Sequence, residues 1–264
     1  MKKFLVVLLA VCLIFAFAAC STNEAPAEDG SDAADVVEND ADTLVMATNA
    51  AFPPYEYYEN NQIVGIDAEI AQAIADKLGM KLEIQDMEFG SIIAAVQTGK
   101  VDFGAAGMTK TAEREQSVSF TDTYATGIQV IIVKEDSPIA SVDDLSAEGA
   151  TYVVGVQQDT TGDIYCTDDF GDARVQRYNK GADAVLALTS GKVDCVIIDN
   201  EPAKSFVEAN AGLKILETEY VTEEYAICVA KENTELLDSM NAALAELKAD
   251  GSLDAIIGKY ISAE

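Results

Sequence analysis

The tetrapeptide Gly-Lys-Val-Asp occurs twice, at Gly99–Asp102 and Gly191–Asp194, 92 positions apart. Each copy follows a stretch with helical apolar spacing and opens an apolar run. The glycine therefore stands where a helix ends and the valine where a strand begins. The surroundings repeat too. Ahead of the first copy the spacing predicts a strand over Thr43–Thr48 and a helix over Asp67–Leu78, with Ile66, Ile70, Ile74 and Leu78 on one stripe and Gly79 closing it. A strand over Lys81–Met87 and a helix over Ser91–Thr98 follow, and the copy itself opens the strand Val101–Ala105. Around the second copy the order is strand Tyr152–Val156, helix from Thr161, strand Arg174–Tyr178, helix Ala182–Thr189 and strand Val193–Ile198. Strands alternating with helices build largely parallel sheets, so the chain is α/β, with two lobes of similar construction. Ligands of such sheets bind beyond the carboxyl ends of the strands. The loops over 104–114 and 198–202 should therefore face each other across a cleft.

The N-terminus sets the compartment. Met1-Lys2-Lys3 and the 16 apolar residues from Phe4 to Ala19 have the layout of a secretory signal over residues 1–19, and the run is short for a membrane span. Phe17-Ala18-Ala19-Cys20 resembles a bacterial lipobox, with Phe17 where leucine is usual, which implies lipidation (palmitate) of Cys20; an ordinary signal with an incidental cysteine is the alternative. Residues 20–42 hold eight acids, no base and no aromatic side chain, a composition that stays extended and serves as a tether.

Charge excludes several functions. With 46 Asp and Glu against 17 Lys and Arg, the formal net charge of −29 repels DNA, RNA and anionic lipid headgroups. The absence of histidine rules out Ser-His-Asp and Cys-His nucleophile pairs and His-ligated zinc. Neither a metal ligand set nor a cofactor motif is visible. Of five cysteines, Cys12 leaves with the signal, and Cys195 and Cys228 sit in strand-like apolar runs that suit buried, unpaired thiols; Cys166 completes an odd set.

The loops carry a small set of chemically apt residues. Arg114 lies beside Gly107, Thr109 and Thr111, where a guanidinium clamps a carboxylate or else pairs with Glu113 or Glu115. Thr160 and Thr161, with Asp163 three residues after Thr160, read as a helix start that either attracts an anion or merely caps. Asp199 ends an apolar strand, as an ammonium receptor or an N-cap. Phe52 and Phe89 each follow a strand and either flank a ligand or join the core. Arg174 and Arg177 read as solvated surface residues.

Gly65-Ile66-Asp67-Ala68-Glu69-Ile70, continuing to Ile74, Ala75 and Leu78, resembles the signature of the family-3 extracellular solute-binding proteins, the amino-acid receptors of bacterial ABC importers; Ala68 departs from the larger aliphatic residue usual there. The resemblance runs from about Thr43 to the C-terminus, through Ala51–Glu56, Gly107-Met108-Thr109 with Arg114, Ser119–Asp122 and Ile198-Asp199. It implies a periplasmic-binding-protein-like fold: two α/β lobes joined by a two-strand hinge with a ligand cleft between them. Lobe 1 is expected over 43–124 plus 227–264 and lobe 2 over 128–222, with hinges about 124–128 and 222–227. It also implies roles. Arg114 holds the α-carboxylate with Thr109 and the backbone N–H groups near Gly107 and Thr109; Thr160 and Thr161 add contacts from the second lobe. Asp199 takes the α-ammonium, and Phe52 and Phe89 flank the side chain. Asn49 stands where receptors for cationic amino acids and for glutamine carry an aspartate, which argues against a strong preference for arginine or lysine and favours a polar or neutral side chain. Asp159 stands where glycine is common, and Gln157 and Met108 border the side-chain pocket. The expected protein is a monomeric, lipid-anchored, non-enzymatic receptor on the outer face of a Gram-positive-type membrane, delivering an amino acid to an ABC permease. The alternatives are a ligand-sensing or adhesin module, or a cyclohexadienyl-dehydratase-like enzyme with Glu201 or Asp199 as general acid.

Overall fold

In a computed structural model the described residues are 42–216 and 220–261. The expected signal, Cys20 and the tether through residue 41 lie outside them. The chain begins with β1 (Thr43–Thr48), a three-stranded antiparallel excursion of β2 (Ala51–Phe52), β3 (Glu56–Glu59) and β4 (Gln62–Val64), then α1 (Ile66–Leu78), β5 (Lys81–Asp86), α2 (Ile92–Gln97), β6 (Phe103–Gly104) and β7 (Ser119–Phe120). A long strand β8 (Ala125–Lys134) leads into α3 (Val142–Ser146), β9 (Val154–Gln157), α4 (Thr161–Phe170), β10 (Val175–Tyr178), α5 (Gly181–Thr189), β11 (Cys195–Asp199), α6 (Asn200–Ala209) and β12 (Leu213–Ile215). The strand β13 (Val221–Tyr225) returns along β8, and β14 (Cys228–Val229), α7 (Thr234–Ala249) and α8 (Ser252–Tyr260) complete the fold.

Two sheets result. One has the order β5-β1-β6-β14-β7; the other runs β10-β9-β11-β8-β12, with β13 also paired to β8. In the first, β5, β1 and β6 are parallel and β14 inserts antiparallel between β6 and β7. Strand residues alternate between two buried faces, as sheets covered on both sides require. In β1, Leu44 and Met46 meet Ile70, Ile74, Met240 and Leu244 of α1 and α7, while Val45 and Ala47 meet Ile92 and Val96 of α2. In β8, Val130 and Ile132 face Val185 and Leu188 of α5, and Ile131 and Val133 face Leu145 and Phe170.

The repeated tetrapeptide does the same work in both sheets. Gly99 (φ 69°) and Gly191 (φ 72°) take the left-handed conformation just past their helices, which glycine adopts without steric cost. Three residues on, Asp102 accepts the Val45 N–H and Asp194 the Val153 N–H, each at 2.7 Å. Gly65 (φ 126°) serves a different need: a Cβ there would lie 2.3 Å from the Tyr55 carbonyl oxygen, so only glycine lets β3 cross the start of α1.

The predicted elements stand within a few residues of their expected ends, except that Val101–Ala105 shortens to Phe103–Gly104 and Arg174 falls in a single 3-10 turn before β10. Cys166, Cys195 and Cys228 are buried free thiols, with burial pushing each above its ordinary pKa. No described helix is long and apolar enough to cross a membrane.

Candidate functional site

Asn49, Phe52, Phe89, Gly107, Thr109, Arg114, Thr160, Thr161 and Asp199 all line one cavity. They reach it because β1, β5, β6, β9 and β11 all end there; parallel strands bring their following loops to a common edge. Gln129 and Glu223, on β8 and β13, form the wall between the two sheets, with Tyr225 beside them.

Arg114 is buried at 8% exposure. Its Nη1 donates to the Thr109 carbonyl (2.8 Å) and its Nη2 to the Asp159 carbonyl (3.2 Å), and the guanidinium lies 5.2 Å above the Phe89 ring. Two neutral carbonyls and a ring face orient it without neutralising it, and no ion-pair partner for it is found among the described residues. Burial pulls its pKa down, opposed first by the Glu223 charge.

Asp199 is its counterpart. Fully buried, it accepts from Tyr225 Oη (2.5 Å), the Ile128 N–H (3.1 Å) and the Glu201 N–H (3.2 Å). It caps α6, the second of its two sequence readings, and also lines the cavity. Burial raises its pKa to about 7, offset by the Tyr225 and Glu201 donors.

Several expectations need correcting. The Gly107 N–H is not free for a ligand: it donates to Asp67 Oδ2 at 2.7 Å. The Thr160 hydroxyl donates to the Gln157 carbonyl (2.8 Å) and accepts the Asp163 N–H (3.4 Å), which leaves the first-turn N–H groups of α4 as that side's donors. Met108 packs in the core against Val45 and Ile92 rather than bordering the pocket. Arg177 is not merely solvated, since its Nε forks both oxygens of the buried Asp163 at 2.8 and 3.0 Å. Arg174 donates to the Tyr152 carbonyl and covers the Phe170 ring.

Sequence reasoning missed Glu56, Gln129, Glu223 and Tyr225. Glu56 and Asp67 are neighbouring buried carboxyls, and burial, then the Asp67 charge, pushes Glu56 well above its ordinary pKa. Glu223 accepts from Gln129 Nε2 at 2.9 Å through one oxygen, while its other oxygen and Gln129 Oε1 have no partner. Across the cavity, Asn49 donates to the Met87 carbonyl and accepts from Gln157 Nε2 (2.9 Å), leaving Gln157 Oε1 unpartnered. Of the unpartnered side-chain oxygens on the wall, those of Gln129, Gln157 and Glu223 can each accept an N–H. Signal for Gln129 existed only in its polarity within an otherwise apolar strand, and Glu223, between Thr222 and Glu224 in β13, gave none.

The sequence profile of the bacterial extracellular solute-binding proteins, family 3, matches residues 44–263. Among curated relatives, the arginine-binding extracellular protein ArtP of Bacillus subtilis (strain 168) is 34% identical over 266 residues, covering 100% of both chains. An ancestral arginine-binding protein, solved bound to arginine and bound to glutamine, is 40% identical with TM-scores of 0.77 and 0.78, covering 84% of this chain and 99% of that one. The ancestral amino acid-binding protein AncCDT-1, a precursor of cyclohexadienyl dehydratase, is 31% identical with a TM-score of 0.76, covering 83% of this chain and 95% of its own. With two α/β lobes around a cleft, a matching profile and relatives that align over their whole length, the chain belongs to the bacterial extracellular solute-binding proteins, family 3.

Proposed function

We propose that this protein captures an amino acid by lobe closure and delivers it to the permease of an ABC importer. The observation that carries this reading is the opposed pair of buried charges, Arg114 and Asp199, on one cavity. A zwitterion satisfies both at once; a ligand with only one charge leaves the other buried and unpaired, at a cost of several kcal/mol. The lobes are 43–124 plus 227–264 and 128–222, with hinges about 124–128 and 222–227. Cys20, lipidated after removal of residues 1–19, tethers a monomer to the outer face of the membrane through the acidic segment.

The side chain is read by what the cavity lacks. Asn49 alone favours a polar or neutral group. Gln157 Oε1 and Glu223 add unpartnered acceptors and a negative charge, which fit a side chain ending in N–H donors: a guanidinium first and an amide second. The relatives named for arginine, and the ancestral protein solved with both arginine and glutamine, support this order.

The test is thermal melting against the twenty amino acids. Ligand that binds only the folded state adds about 2.7 kcal/mol at a hundredfold excess over Kd. A shift with arginine, smaller with glutamine and lost in Arg114→Ala, is expected; no shift with any amino acid, in a folded protein, refutes the reading. A dehydratase is the second reading, favoured by Asp199, whose pKa of about 7 suits a general acid, and by the likeness to AncCDT-1. Turnover of prephenate or arogenate decides it.

A further inference from the structure

Asp159 has φ 64°, a left-handed conformation that non-glycine residues rarely adopt. Its peptide is gripped on both sides. The N–H donates to Asp163 Oδ2 at 3.1 Å, and the carbonyl accepts from Arg114 Nη2 at 3.2 Å. Asp163 is buried at 6% exposure and is itself held: Arg177 Nε reaches both its oxygens, and Thr167 Oγ1 donates to Oδ1 at 3.2 Å. Arg177 is fixed in turn by Thr167 Oγ1 (2.9 Å) and Asp172 Oδ1 (2.8 Å). A continuous chain thus runs from the outer edge of β10, through the first turn of α4, to the guanidinium on the opposite wall of the cleft.

We propose that Asp163 and Arg177 are positioning residues for the ligand clamp: they hold the Asp159 peptide so that its carbonyl meets Arg114 from across the cleft. Arg114 then takes one carbonyl from its own side, Thr109, and one from the other, Asp159. Both fix the plane of the guanidinium, and a planar fork grips a carboxylate with two parallel bonds only when its plane is set. Closure of the lobes therefore completes the orientation of the residue that holds the ligand. The side chain of Asp159 is not the working part. It accepts from Gln158 Nε2 (3.2 Å) and lies against Gly90, whereas the aimed groups are its N–H and C=O. Glycine at this position keeps both groups and tolerates the same φ.

The inference rests on Arg114 holding the ligand carboxylate, and its test separates the two ideas. In the full-length mature protein, hydrogen exchange of the Asp159 amide reads the grip without any ligand. Protection in the wild type, lost in Asp163→Asn and reduced in Arg177→Ala, is expected; an unprotected Asp159 amide in the wild type overturns the proposal even if every amino acid fails to bind. With L-arginine as probe, or L-glutamine if arginine gives no heat, calorimetry should show Asp163→Asn and Arg177→Ala binding at least fivefold more weakly, while Asp159→Gly stays within threefold. A merely structural role is excluded by a double-mutant cycle: in an Arg114→Lys background the Asp163→Asn loss should fall below twofold. Undiminished loss there, wild-type affinity in both single variants, or a tenfold loss in Asp159→Gly each refutes it. Should Asp163→Asn fail to fold, Arg177→Ala, at the partly exposed outer end of the chain, carries the same comparisons.

Discussion

At the scale of single residues, the site is a matter of buried charge held by neutral partners. Arg114 sits between two carbonyls and a phenyl face, so its replacement by alanine should weaken ligand binding by about a hundredfold, from two charge-assisted bonds of roughly 1.5–3 kcal/mol each less what solvent restores. Titration calorimetry measures this directly. Asp199 makes a pH prediction whose sign is definite. Its pKa rises from 3.8 to about 7 because burial disfavours the ionised form. Its contribution to stability is therefore present below about pH 4 and is lost as the pH rises through 7. Asp67, raised to about 6 by burial, acts in the same direction. A ligand ammonium reverses the balance at Asp199, because it favours the ionised carboxylate. Unliganded melting temperature should fall as the pH rises through about 7, while ligand affinity should rise; Asp199→Asn should flatten the stability step. An unchanged step in that variant would assign it to another group.

At the scale of elements, the two copies of Gly-Lys-Val-Asp show how far local sequence reaches. Helix end, left-handed glycine, and aspartate accepting a strand N–H all follow within four residues, so the pattern and its structure agree in both places. Their energetics differ by environment. Asp102 is half-buried and Asp194 exposed, so water competes better for the second bond. Asp102→Ala should cost about 1–2 kcal/mol and Asp194→Ala less, by urea unfolding. Equal costs would show that burial does not set the strength of these bonds. The α1 stripe and the apolar runs that the two copies open were legible for the same reason: period and glycine placement are local. The β2–β4 excursion and the full length of β8 were not, because Ala51–Val64 holds strands of only two to four residues, and β8 derives its length from β11, β12 and β13 on either side.

At the scale of the whole molecule, the chain that builds the cleft carries a formal net charge of −29. Such a field attracts a cation and is indifferent to a neutral zwitterion, and salt screens it within about 8 Å at physiological ionic strength. Stopped-flow association of L-arginine should therefore slow as salt is raised, whereas that of L-glutamine should hardly change. Equal salt dependence for the two would mean that the acidic surface plays no part in ligand capture.

The alternation of strands and helices and the helix ends at Gly79, Gly99 and Gly191 were determined by the sequence itself, because each depends on spacing within a dozen residues, while the nine residues around the cavity were named from local chemistry and from the family resemblance. What tertiary structure alone decided is which of those groups are already occupied. The Gly107 N–H belongs to Asp67, 40 residues earlier; Gln157 reaches Asn49 over 108 residues, and Gln129 meets Glu223 over 94. A hydrogen bond is satisfied by proximity in space, and proximity between residues so far apart in the chain is set only when β14 closes between β6 and β7 and β13 lies along β8.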